Sequence, residues 1–261
     1  MTSWLRRAGI GALICACFLA GPVMAGGAEA AKHLPQPKTV VLVHGFFADG
    51  SAWSEVIPLL QAAGITVVAV QNSLASLDGD IAAARHVIDQ QSGDVVLVGH
   101  SFGGMVISDA GVDPKVASLV YVCAFAPSPG DSINTLQNGL PDPAWLPDLV
   151  YDDARNFKLT QAGVLKYFAP DVPQRKAKVI AATQGAFAIA DLGEAVTNAA
   201  WLTKPSTYVQ CKDDQIIDPN LELRMAHKIN AKLVSIHSSH VAMISHPEIV
   251  AALIAEAAYK P

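Results

Sequence analysis

The sequence lacks a basic excess. Its 261 residues carry 18 Lys and Arg against 23 Asp and Glu, a formal net charge of -5, and the pI is about 5.9. Recognition of nucleic acid needs a basic face, so nucleic acid is not among the expected partners. Charge of either sign is sparse, at 16%, while 51% of the residues are hydrophobic. A disordered chain has the opposite balance. Cysteine is scarce as well. The four cysteines form no C-x-x-C pair, which removes the usual signature of a cysteine-rich metal site. A long membrane-spanning run is also missing: the apolar stretch from Ala8 to Ala20 is shorter than the ~20 residues that cross a bilayer. What remains is a chain long enough to bury a large core as one domain without metals or disulfides.

The N-terminal residues have the pattern of a secretory signal. Arg6 and Arg7 precede the apolar run, Gly21 and Pro22 break it, and Val23-Met24-Ala25 ends in a small residue. Residues 1–25 are therefore expected to be a signal peptide, with Ala28-Glu29-Ala30 as a second cleavage site. Residues 26–38, with Pro35 and Pro37, form a flexible lead-in. The adjacent arginines weakly suggest the twin-arginine route, and Cys17 is a minor candidate for lipidation. The expected destination is the periplasm or the medium, with no membrane attachment after cleavage. Cys15 and Cys17 leave with the signal. Cys123 and Cys211 lie at the ends of predicted strands. They are read as small buried apolar residues, although an oxidising compartment would allow them to pair.

From Thr39 the chain alternates between two periodicities. TVVLV (39–43) and Val95 to Val98 are short continuous apolar runs, expected as buried strands, and Ile65 to Val70 and Ala117 to Val122 are expected as further strands. Between them, Ser51 to Ala63, Asp78 to Gln91 and Phe102 to Ala110 have helical spacing. The alternation stops from Ala126 to Thr203, where no strand is evident and several short helices are expected. It resumes with a strand at Ser206 to Cys211, a helix at Leu221 to Ile229, a strand at Lys232 to Ile236 and a helix at Pro247 to Ala258. The pattern predicts one α/β domain over 39–261. It should have a mostly parallel central sheet flanked by helices, and a helical cap inserted at about 126–203. Such an insertion lies over the carboxyl edge of the sheet, where ligands bind.

The chemistry centres on Gly99-His100-Ser101-Phe102-Gly103. This G-x-S-x-G pattern directly follows the strand VVLV and directly precedes a helix, the setting in which a sharp turn exposes a serine oxygen. A serine that only caps a helix is the simpler alternative, but suitable partners follow it in the chain. A hydroxyl nucleophile needs a base, and the base needs a carboxylate. After the strand STYVQC come Asp213, Asp214 and Asp218. Asp214 is the chosen acid and Asp213 the reserve, while Asp218 precedes Pro219 as a helix cap. After LVSI come His237 and His240. His240 lies in the loop proper and is the chosen base, and His237 is read as structural. His237, His240 and His246 have no clustered carboxylates or cysteines to complete a metal set, so no metal and no cofactor is expected. Oxyanion donors are assigned to the backbone N–H groups of Phe102, just after Ser101, and Phe46, in the loop after the first strand. His44 and His100 are read as structural.

VLVHGFFADGSAW, VVLVGHSFGG, LVYVCAFAPSPGDS, YVQCKDD and SSHVAMISHPEIVAALI together resemble the α/β-hydrolase superfamily. They are most similar to the branch with plant methyl esterases, hydroxynitrile lyases and related bacterial esterases. The resemblance runs from Thr39 onward and is weakest in the insertion. It implies Ser101, Asp214 and His240 as a catalytic triad and Phe46 and Phe102 as oxyanion-hole residues. Asp214 is favoured because Asp214-Gln215-Ile216-Ile217-Asp218-Pro219 resembles the family's D-x-x-I-x-P. The resemblance also excludes chemistry. Dehalogenases and epoxide hydrolases of this fold use Asp where Ser101 stands. Hydroxynitrile lyases carry Thr in place of Gly45 and Lys in place of Val241. The implied activity is hydrolysis of a small or medium apolar carboxylic ester through an acyl-enzyme. Phe46, Phe47, Phe102, Phe125, Trp145, Tyr167 and Phe168 are the candidate lining of an apolar pocket. C–C hydrolysis, perhydrolysis and a low-turnover receptor role remain as alternatives.

Overall fold

A computed structural model describes residues 36–260. The expected signal peptide and most of the lead-in lie outside the described residues. Six strands form one sheet, in the order β2-β1-β3-β4-β8-β9. They are β1 (Thr39–Val43), β2 (Val67–Ala69), β3 (Val95–His100), β4 (Val116–Val122), β8 (Ser206–Cys211) and β9 (Lys232–Ile236). Every pairing in this sheet is parallel. All six residues of β3 are buried, which is why a central strand reads as an unbroken apolar run.

The sheet's connecting helices are α1 (Val56–Ala62), α2 (Leu77–Asp89) and α3 (Gly103–Ala110). Steps from β1 to β2 and from β2 to β3 run in opposite directions along the sheet. Right-handed crossovers therefore put α1 and α2 on opposite faces. Each start has a local cause. Ser76 accepts a hydrogen bond from the Gly79 N–H and caps α2, whose first turn carries Asp78 and Asp80. The expected helix from Ser51 to Ala63 is divided instead. A short 3-10 turn at Gly50–Trp53 is capped by Asp49, and α1 begins only at Val56. Pro58 explains the break: lacking an N–H, it is tolerated only in a helix's first turn.

The cap departs further from expectation. It contains short helices, α4 (Ile133–Leu136), α5 (Gln161–Gly163) and α6 (Gln174–Thr183). It also contains three strands, β5 (Leu149–Tyr151), β6 (Asn156–Leu159) and β7 (Phe187–Ala188), which form an antiparallel sheet. Strands this short show no alternation in sequence. A side-chain turn closes β5 onto β6: Asp152 accepts from the Ala154 and Asn156 N–H groups, and Arg155 takes a φ of 62°. The insertion is anchored by the buried Asp109 of α3, which accepts hydrogen bonds from Thr197, Asn198 and Arg85.

The chain ends with α7 (Pro219–Lys228), α8 (Ala242–Ser245) and α9 (Pro247–Tyr259). Among the described residues, no helix is long and apolar enough to cross a membrane. The reading of Cys123 and Cys211 as unpaired needs correction, because they form a disulfide with Cα atoms 5.4 Å apart. They lie 88 residues apart in sequence. They meet because β4 and β8 are sheet neighbours, with Val122 opposite Val209.

Candidate active site

The site forms where β1, β3, β8 and β9 reach their carboxyl ends. Ser101 follows β3 directly and has a φ of 55°, a left-handed conformation that costs a non-glycine residue about 1–3 kcal/mol. The turn is over-determined by its neighbours. Ser101 N–H donates to the Val122 carbonyl at 3.3 Å, and its own carbonyl accepts from Gly104 at 3.0 Å and Phe125 at 3.1 Å. A Cβ on Gly99 would lie 2.5 Å from the Gly103 carbonyl oxygen, and one on Gly103 would lie 2.5 Å from that of Val43. The two outer glycines of the motif are thus required by close backbone approach.

The loop after β1 folds over this elbow. His44 Nδ1–H donates to the Gly45 carbonyl at 3.0 Å, while its Nε2 accepts the Asn72 N–H at 3.1 Å. Burial holds the His44 pKa below its ordinary value, and these partners suit a neutral ring. The Phe46 and Phe102 rings stack with centroids 4.3 Å apart. No acceptor among the described residues takes the backbone N–H of Phe46 or of Phe102.

The loops after β8 and β9 bring Asp214 and His240 together. His240 Nδ1 donates to Asp214 Oδ2 at 2.5 Å, and both side chains are fully buried. Asp214 Oδ1 accepts from the Ile216 N–H at 2.7 Å and the Ile217 N–H at 3.0 Å. Asp213 instead points outward, 3.3 Å from the exposed ring of His237, and Asp218 caps α7 by accepting from Asn220. His240 Nε2 has no hydrogen-bond partner among the described residues.

Two supports of this arrangement carry no clear signal in the sequence. His100 Nε2–H donates to the His240 carbonyl at 2.9 Å, tying the residue before Ser101 to the His240 loop. Burial, then the neighbouring His240, pushes the His100 pKa well below its ordinary value, which keeps the ring neutral. From the cap, Asp171 accepts from the Ser239 N–H at 2.8 Å and from the Ser239 hydroxyl at 2.5 Å. Among the described residues, no three His, Cys, Asp or Glu side chains converge as metal ligands.

Ser101 opens onto a cavity of about 210 Å³ lined by Phe46, Phe47, Phe125, Trp145, Phe157 and Ile217, among others. Phe102, Tyr167 and Phe168 do not line it, although they were candidates. Phe168 packs against His240, with ring centroids 5.3 Å apart. Phe157 comes from the cap strand β6, which the sequence did not reveal. A larger groove of about 470 Å³ runs past Phe168 and α6 but does not include Ser101.

The alpha/beta hydrolase family model matches residues 40–253. The chain is 30% identical to the alpha/beta hydrolase nvfD of Aspergillus novofumigatus over 69% of this chain and 77% of that protein. It is 24% identical to Methylesterase 1 of Arabidopsis thaliana over 80% of this chain and 91% of the relative. Among solved structures, polyneuridine aldehyde esterase superposes with a TM-score of 0.75 at 21% identity, over 85% of this chain and 99% of the other.

Proposed function

Because this chain belongs to the alpha/beta hydrolase family, we propose that it is a serine esterase acting on small or medium apolar carboxylic esters. The observations that carry this reading are the buried pairing of His240 with Asp214 and a left-handed serine after β3 that lines an aromatic cavity. With its Nδ1–H committed to Asp214, His240 keeps the Nε2 lone pair for a proton. In the proposed cycle, Nε2 takes the Ser101 hydroxyl proton as Oγ attacks the ester carbonyl carbon. The carbonyl oxygen becomes an oxyanion held by the Phe46 and Phe102 N–H groups. The intermediate collapses, His240 returns the proton to the leaving alcohol, and an acyl-Ser101 ester remains. Water attacks that ester with His240 as base again, releasing the acid and restoring Ser101.

Gly45 favours ester hydrolysis over lyase chemistry. A side chain there would have its Cβ 2.6 Å from the Ser101 Cβ and 2.8 Å from the His100 carbonyl oxygen, so a lyase-like Thr has no room. The methyl esterase relative supports ester chemistry in the same way. The pattern of residues 1–25 supports export to the periplasm or the medium as part of this proposal.

The test is hydrolysis of a chain-length series of p-nitrophenyl esters by wild type and Ser101→Ala. Wild type is expected to prefer short and medium acyl chains, and the variant to lose turnover by about 10³-fold or more. Turnover retained by a folded Ser101→Ala would overturn the proposal.

A further inference from the structure

Behind Asp214 lies a second carboxyl group that the proposed cycle does not use. Glu222, in the first turn of α7, is 0% exposed. Its Oε2 accepts the Cys211 N–H at 2.9 Å. No donor among the described residues reaches Oε1, and the Glu222 carboxyl is in hydrogen-bond contact with the side chain of Asp214. A carboxylate oxygen buried with no donor costs several kcal/mol, and two carboxylates in contact cannot both be charged away from water. One of the pair must hold a proton.

The donors decide which. Asp214 receives three, the N–H groups of Ile216 and Ile217 and the imidazole N–H of His240. Glu222 receives one. The negative charge is therefore better stabilised on Asp214, and the proton belongs on Glu222 Oε1. Other neighbours reinforce this. The charged groups facing Glu222 are the acidic Asp214 and Asp218. The Tyr208 hydroxyl close by is committed to the Ala124 carbonyl. Burial, followed by the charge of Asp214, pushes the Glu222 carboxyl well above the ordinary carboxylate range.

We propose that Glu222 is a positioning residue whose carboxyl O–H donates to the Asp214 carboxylate and holds it against His240. This rests on the esterase reading of Ser101, Asp214 and His240. The O–H would be a further donor to Asp214 besides His240 and the two backbone N–H groups. It fixes the carboxylate rotamer without placing a second negative charge beside the base. Glutamine has the same shape, can donate to Asp214 through its amide and can accept from Cys211 N–H. Alanine can do neither.

The test compares ester turnover by wild type, Glu222→Gln and Glu222→Ala, with Ser101→Ala as the blank. Glu222→Gln is expected to keep kcat within about threefold of wild type, while Glu222→Ala loses about 10–100-fold in kcat with KM little changed. A glutamine variant as impaired as the alanine variant, or an alanine variant as active as wild type, would overturn the proposal. The alanine variant could fail to fold, so infrared difference spectroscopy of wild type against Glu222→Gln reads the proton directly. A protonated-carboxyl stretch in wild type that vanishes in Glu222→Gln supports the assignment, and its absence from wild type refutes it. If wild type turns over no ester, the esterase reading fails, and the infrared result still judges the proton on Glu222.

Discussion

Gly45 lies so close to Ser101 that a Cβ on it would stand 2.6 Å from the serine's own Cβ and 3.0 Å from the Phe102 backbone nitrogen. The loop after β1 and the elbow after β3 therefore touch backbone to backbone, and this contact sets where the Phe46 and Phe102 N–H groups lie.

Gly45→Thr should push the loop off the elbow and displace those donors. The expected loss in kcat is about 10²–10³-fold, the scale of removing an oxyanion donor. Steady-state ester kinetics, with circular dichroism to verify folding, measures it. A folded Gly45→Thr with wild-type kcat would show that the two segments do not depend on this contact.

The disulfide between Cys123 and Cys211 spans 88 residues of chain and joins the strands that lead to Phe125 and Asp214. Reduction should lower the stability of the unfolding transition by about 2–4 kcal/mol. Thiol titration of a denatured, unreduced chain that starts at residue 26, and so lacks Cys15 and Cys17, provides a first check, with no free thiol expected. Two titrating thiols would show that the bond is absent.

Asp191 makes stability depend on pH. It is buried in the cap, and neither of its carboxyl oxygens has a partner among the described residues. Burial first, then the charges of Glu194 and Asp80, push its pKa up to about 7. Because this lies above the ordinary aspartate value, the folded state binds the proton more tightly than the unfolded state does. The stabilisation is fully present below about pH 4 and is lost as pH rises towards 7, with a slope of at most ~1.4 kcal/mol per pH unit. Asp80, whose pKa burial also raises, acts in the same sense. Asp191→Asn should raise the melting temperature at about pH 8 and change it little at about pH 4. Equal effects at both pH values would contradict this assignment.

These features were unequally legible. The strands Thr39–Val43, Ser206–Cys211 and Lys232–Ile236 match the sequence reading to the residue, and Thr39–Val43 shows why most plainly: a buried parallel strand writes its burial into an unbroken apolar run. The G-x-S-x-G turn was legible because strand, glycines and helix are contiguous. The cap strands were not, since segments of two to four residues carry no measurable period. Glu222 was invisible for a different reason. Within α7 it has the look of any polar helix residue, and only the fold turns it towards Asp214. The cysteine pair depended on knowing that β4 and β8 are neighbours, which the intervening cap conceals.

The central claim is that Ser101 is a nucleophile activated by His240. The most direct measurement is labelling of the protein with an acyl-phosphonate probe, read by intact mass and peptide mapping. A single adduct on Ser101, abolished in Ser101→Ala and strongly slowed in His240→Ala, is the predicted result. No adduct in wild type, or an adduct on another residue, would contradict the account.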